Sequence, residues 1–261
     1  MIDTRKIVSR LRTIESLAVI PRVASTNLVA RRIVNECVDN ELSLPQAMII
    51  AREQFAGRGR NQRSWSSPAG KGIYATTMLT RPAAEMPLVP LQMAVVIATF
   101  LRENFAIQAE IKWPNDVLAG GKKIAGILIE ARVQEGRGYM LIGTGINVEP
   151  VKDDSRPNAT SIREAAGREV GDLDDITRRF IEHVDAALSE SFSRDDVLAN
   201  WRSLTVHREG DPISCVLGDR TVAGTWNGVD EHGRALLKSG SSVTPISAGD
   251  IILGIDQEKQ P

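Results

Sequence analysis

The sequence predicts an α+β chain: one large domain, residues 1–204, followed by a small antiparallel β-barrel, residues 205–261. Three observations lead there. The chain has 261 residues, and at ~100–200 residues per domain that suits one large unit plus one small one. Up to Leu204, short β-prone runs alternate with long segments of helical period. After Thr205 short β-prone stretches are separated by turn signals, at Gly210-Asp211, Gly218-Asp219, Gly228-Val229-Asp230 and Gly249-Asp250, the texture of a small barrel.

The elements follow in order. Ser25-Thr26-Asn27 precedes a segment with Ala30, Ile33, Val34 and Cys37 on one helical face, and Ser25 or Thr26 suits its N-cap. Ala47 to Ala51 reads as a short buried strand that runs into a Gly- and Arg-rich loop, Gln54 to Gly70. Gly72 to Leu79 reads as a strand, and Leu88 to Phe105 as a long helix through Leu91, Val95, Ala98, Phe100 and Leu101. Glu110 to Trp113 is a strand entering a Pro-Asn-Asp turn. Lys123 to Val133 and Tyr139 to Val148 are apolar, β-prone and joined by a short Gly-containing turn, hence a hairpin. Glu149 to Asn158 is a polar, solvated loop; Asp174 to Phe192 and Val197 to Leu204 are helices.

Composition narrows the function. Hydrophobic residues are 42% and charged residues 25% of the chain, as in ordinary soluble globular proteins. Lys and Arg total 32 against 33 Asp and Glu, a net charge of −1. From Thr205 onward five basic residues face eight acidic ones. A nucleic-acid partner, which needs a cationic face, is therefore not expected. Cys37 and Cys215 lie outside any CxxC spacing, and His183, His207 and His232 outside HExxH or HxxxH. Free thiols in a reducing compartment and no protein-ligated metal are the expectations. Met1 to Ile20 is broken by Arg5, Lys6, Arg10, Arg12 and Glu15, so it has no signal-peptide core. No apolar run is read as approaching the ~20 residues of a bilayer span. The chain reads as cytoplasmic, with no membrane partner.

Four constellations carry chemistry. In Gln54-Phe55-Ala56-Gly57-Arg58-Gly59-Arg60-Asn61-Gln62-Arg63, closely followed by Trp65, glycines alternate with arginines just after a strand. Backbone N–H groups and guanidinium forks can converge there on a phosphate or carboxylate, although a bare GRGR equally suits a surface loop or a nucleic-acid contact. Lys112-Trp113-Pro114-Asn115-Asp116 presents a cation, an amide and a carboxylate at one sheet edge. Lys122 to Glu130 (KKIAGILIE) starts with lysine ahead of an apolar strand. Ala119-Gly120-Gly121 reads as a hairpin tip that folds Lys123 back beside the Asn115-Asp116 turn. In Gly143-Thr144-Gly145-Ile146-Asn147 two glycines let a planar ring approach the backbone, and Asn147 can read a base edge; a twisted or bulged strand is the structural alternative.

GRGR, KWPND, KxAGILxE and GxGIN in this order, with Ser25-Thr26-Asn27 upstream, resemble the biotin protein ligase family, closely from Val23 to Asn147 and loosely beyond. The resemblance implies a mixed sheet flanked by helices, like class II aminoacyl-tRNA synthetases, and an SH3-like C-terminal barrel. It implies that biotin and ATP form biotinyl-5′-AMP, that Mg²⁺ accompanies the phosphates, and that biotin passes to one lysine of a biotin carboxyl carrier protein. By position, Ser25, Thr26 and Gln54, with Asn27 beside them, meet the biotin ring. Gly57, Arg58, Gly59 and Arg60 wrap the carboxylate and phosphate, and Arg63 belongs to the same closing segment. Lys123 meets the reacting carboxyl and α-phosphate, with Gly126 on its strand. Asn115 and Asn147 face the adenine, and Trp65 closes over the nucleotide. Lys112 and Asp116 share a motif, and Asp116 assists the incoming amine. The 24 residues before Ser25 are too few for the winged DNA-binding domain that some members carry. The assembly is read as a monomer or homodimer. Two rivals remain: a lipoate-protein ligase or octanoyltransferase of similar fold, and a non-catalytic ligand-sensing or RNA-binding module.

Overall fold

The computed structural model describes residues 4–150, 158–217, 220–247 and 249–253. Its first half carries helix α1 (Thr4–Val8), strand β1 (Ser16–Ile20), helix α2 (Thr26–Asp39) and strands β2 (Ala47–Ala51) and β3 (Gly72–Pro82). Helix α3 (Val89–Phe105) then leads into β4 (Ala109–Lys112), β5 (Asp116–Ala119), β6 (Lys122–Gln134) and β7 (Arg137–Asn147). Helices α4 (Ile162–Ala166), α5 (Leu173–Ser189) and α6 (Arg194–Leu204) follow. The chain continues with β8 (Pro212–Leu217), β9 (Arg220–Val229), β10 (Ala235–Ser239), β11 (Ser242–Ile246) and β12 (Asp250–Leu253).

β1 to β7 form one mixed sheet in the order β1-β2-β3-β7-β6-β5-β4, with β1 parallel to β2 and every other pair antiparallel. Side chains alternate across it. Ala47 and Ile49 of β2, Met78 of β3 and Leu141 of β7 pack under Ala30, Val34 and Val38 of α2. Met48 and Ile50, with Met140 and Ile142, join the larger core under α3, α5 and α6 on the opposite face. That double coverage is why all five residues of β2 are buried and why β2 reads as an unbroken apolar run. The remaining strands form a second, antiparallel sheet in the order β11-β10-β9-β8-β12, the small SH3-like unit.

The hairpin β6–β7 turns at Glu135-Gly136, both with positive φ, as its two-residue spacing requires. At the other end of β6, Gly120 and Gly121 also take positive φ and pair Leu118 with Lys123. Two expectations are corrected. The edge strand β1 and the short helices α1 and α4 are additional to the elements read from the sequence. Met86–Phe105 is, by length and composition, long and apolar enough to cross a membrane; here it is the core helix, with Leu91, Met93, Ala94, Ile97, Phe100 and Leu101 buried. The Glu149–Asn158 loop lies outside the described residues over 151–157, as does the 218–219 turn.

Two polar anchors hold the periphery. Buried Asp185 of α5 accepts the backbone N–H groups of Arg12, Thr13 and Ile14 at 2.7, 2.8 and 2.8 Å. Trp113, also buried, donates its backbone N–H to His207 Nε2 at 3.0 Å and its indole N–H to the Gly233 carbonyl at 3.0 Å. His207 stacks on Trp226 of β9, ring centroids 4.4 Å apart, so the two sheets meet in a continuous core.

Candidate active site

Beyond the N-terminus of α2, on the face that helix covers, the large sheet is open and forms a cavity. Register builds its floor: Gly126 pairs with Gly145, and Leu128 with Gly143, across β6 and β7. A Cβ at Gly145 would run into the Trp65 indole, and one at Gly143 into the Asn27 side-chain amide. The glycines therefore let those two side chains lie against the backbone.

At one end stands the first turn of α2. Ser25 occupies the N-cap position without making a side-chain cap bond. Gln54 supplies the bond instead: its Oε1 accepts the Thr26 N–H at 2.8 Å and its Nε2 donates to Ser67 Oγ at 2.9 Å. The Thr76 hydroxyl lies 2.7 Å from Thr26 Oγ1 and 2.6 Å from Asn27 Oδ1. This buried polar network holds Thr26, Asn27 and Gln54 in one arrangement.

At the other end are the charges. Lys123 Nζ lies 2.6 Å from Asp116 Oδ1 and 5.4 Å from the centre of the Trp65 ring. Arg60 Nη1 donates to Asn115 Oδ1 at 3.0 Å, and Asn115 Nδ2 donates to the Ile127 carbonyl at 2.8 Å. Arg58 Nη1 donates to Glu130 Oε1 at 3.2 Å. The loop that brings these arginines in closes on itself: Gly59 N–H donates to the Arg63 carbonyl and Trp65 N–H to the Gly57 carbonyl, at 2.7 and 2.9 Å. Cations and side-chain amides thus converge on one concavity able to hold an anion beside an apolar floor.

Of the residues singled out in the sequence, Ser25, Thr26, Asn27, Gln54, Arg58, Gly59, Arg60, Arg63, Trp65, Asn115, Asp116, Lys123 and Gly126 line this cavity. Three do not. Gly57 packs against the Trp65 carbonyl, where a Cβ would not fit; it shapes the loop. Asn147 is buried two residues beyond Gly145 on β7, and its Nδ2 donates to the Thr160 carbonyl at 2.9 Å. Lys112 stays outside the lining, and its charge bears on His207. Ser64 and Leu128 line the cavity without having been singled out. For Leu128 the signal was available, since it sits two residues along β6 from Gly126. Among the described residues no group of three or more His, Cys, Asp or Glu could hold a metal ion.

The Biotin/lipoate A/B protein ligase family model matches residues 19–147, and the Biotin protein ligase C terminal domain matches residues 210–254. The chain is 32% identical over 223 residues to the biotin–[acetyl-CoA-carboxylase] ligase of Paracoccus denitrificans, which covers 80% of this chain and 90% of that relative. The chain belongs to the biotin protein ligase family. It is also 33% identical over 221 residues to the bifunctional ligase/repressor BirA of Bacillus subtilis, across 79% of this chain and 66% of the relative's own length. Among solved structures, biotin protein ligase from Aquifex aeolicus in complex with biotin and ATP matches with a TM-score of 0.73 at 24% identity, covering 92% of this chain and 99% of that one. This last likeness is one of fold. The family's two parts correspond to the cavity-bearing sheet and to the small C-terminal sheet of this chain.

Proposed function

We propose that this biotin protein ligase condenses biotin with ATP to biotinyl-5′-AMP and pyrophosphate, then transfers biotin to one lysine of a biotin carboxyl carrier protein. The observation that carries the reading is the convergence of Arg58, Arg60, Asn115, Asp116 and Lys123 on one cavity lined also by the α2 N-terminus and a glycine floor.

The chemistry explains that choice of residues. In the first step a carboxylate oxygen bonds to the α-phosphorus as pyrophosphate leaves. Two anions must meet, so the site needs cations and N–H donors more than it needs a protein nucleophile. Lys123 and Arg58 supply charge to the carboxyl and α-phosphate, and Arg60 and Arg63 extend it along the loop. Thr26 and Gln54, already joined to each other, orient the biotin ring with Ser25 and Asn27. Trp65 covers the nucleotide and Asn115 meets its base. Mg²⁺ would arrive with the triphosphate and screen its charge: among the described residues Asp116 is the single carboxylate on the cavity lining, and such ions keep mostly water and substrate ligands.

In the second step the carrier lysine's neutral amine attacks the mixed anhydride carbonyl, AMP leaves and the amine loses a proton. Placement of the amine is the main requirement. Asp116, held by Lys123 at 2.6 Å, is the group to order that amine and receive its proton.

The experiment is biotin- and ATP-dependent mass gain on a biotin carrier domain, with this chain as the sole enzyme. Pyrophosphate–ATP exchange driven by biotin and not by lipoate is the expected companion result. No mass gain, or exchange driven by lipoate alone, refutes the proposal.

A further inference from the structure

We infer that Glu130 is a positioning residue for this site, holding the Arg58 guanidinium and the Asn27 amide in the arrangement that receives biotin; the inference rests on the ligase reading above. Alternation along β6 puts Glu130 on the face of Gly126 and Leu128, both on the cavity lining. Its Oε2 accepts from Asn27 Nδ2 at 3.0 Å. Its Oε1 accepts from Arg58 Nη1 at 3.2 Å and lies 3.8 Å from Arg31 Nη2. The Thr76 hydroxyl reaches the other end of the Asn27 amide at 2.6 Å. One carboxylate thereby joins α2, β6 and the arginine loop.

The physical need lies in Arg58, whose side chain is 42% exposed and would otherwise sample many rotamers. Fixing a long side chain before a ligand arrives lowers the entropy lost on binding. A guanidinium has five N–H donors; the bond to Glu130 uses one, leaving the others for a carboxylate or phosphate. The loop backbone does not depend on Glu130, because Arg58 bridges Ser64 and the Gly59–Arg63 and Gly57–Trp65 bonds close it. Loss of the carboxylate therefore frees the Arg58 side chain and not the loop. Anchoring and charge oppose one another here. If Glu130 merely damped the local positive field, removing its charge would tighten anion binding; as an anchor, its removal weakens it.

The test is biotin-dependent pyrophosphate–ATP exchange with Glu130→Gln, which keeps an oxygen for Asn27 but loses the charge. Because the pair is partly exposed, the expected rise in KM for biotin is about fivefold, with kcat changed by less than about twofold. Glu130→Asp restores KM to within about twofold. In an Arg58→Ala background Glu130→Gln adds less than about 1.5-fold, since the residue acts through the arginine. An unchanged or lowered KM in the single variant, or a full fivefold rise in the Arg58→Ala background, overturns the assignment. An unmutated chain without biotin-dependent exchange instead removes the ligase reading, and this inference falls with it.

Discussion

The cavity and the junction between the two sheets draw on the same five residues, Lys112 to Asp116, yet use opposite chemistry. At the junction Trp113 is buried and both its N–H groups have a single fixed acceptor. His207 beside it is kept neutral: burial pushes its pKa down to about 4, the Lys112 charge adds to the effect, and Asp211 opposes it. Two residues on, Asn115 and Asp116 are half-buried and meet charged partners, Arg60 and Lys123, over an open cavity. A dry region with neutral, singly matched groups gives rigidity. A wetter region with exchangeable ionic partners can release them to a substrate at small cost. A motif contiguous in sequence is thus divided between stability and function.

The sharpest way to break this division is Trp113→Ala. Deleting a fully buried indole and its bond to Gly233 is expected to destabilise the fold by ~3–5 kcal/mol, read as a lower urea midpoint. The folded fraction should keep its KM for ATP within about threefold; a much larger rise would show that the junction governs the cavity. Lys123→Ala is the converse. Loss of one preorganised cation is expected to cost ~3–4 kcal/mol at the barrier to adenylate formation. Thermal unfolding should barely change, because a half-exposed pair contributes about 1 kcal/mol or less. Near-normal pyrophosphate release by this variant would contradict the division.

The third effect is a pH dependence confined to the junction. Between pH 6.5 and about 4 the unfolded chain binds a proton at His207 that the folded chain refuses. This contribution is fully present above pH 6.5 and is lost as pH falls through that window, ~3 kcal/mol in all. An NMR titration that placed the His207 imidazole near its ordinary value would remove it. Smallest is Asp116→Asn, expected to slow transfer from preformed biotinyl-5′-AMP by about 10- to 100-fold while the fold is retained. Unchanged transfer would rule out its role with the amine.

Local periodicity made much of the fold legible. The β6–β7 hairpin and the return of Lys123 to Asp116 followed from turn residues a few positions apart. β1 was missed although Leu17, Ala18, Val19 and Ile20 are all apolar; five residues are too short a run for periodicity to separate a strand from a turn of helix. The site was legible where glycines and cations clustered in the chain. It was not where partners are distant: Glu130 meets Asn27 and Arg58 across separations of 103 and 72 residues, and Trp113 meets His207 across 94. Asn147 shows the reverse failure. Its amide suits a base edge, but the segment after β7 brings the Thr160 carbonyl to it first.

The Asp185 clasp has a consequence for biosynthesis. Its three N–H donors precede it by 171 to 173 residues. At about 5–20 residues per second of translation, the donors wait on the order of ten to thirty seconds for their carboxylate to be made. Until then water must satisfy them. The segment around Arg12 to Ile14, made long before α5, is therefore among the last pieces to be fastened down.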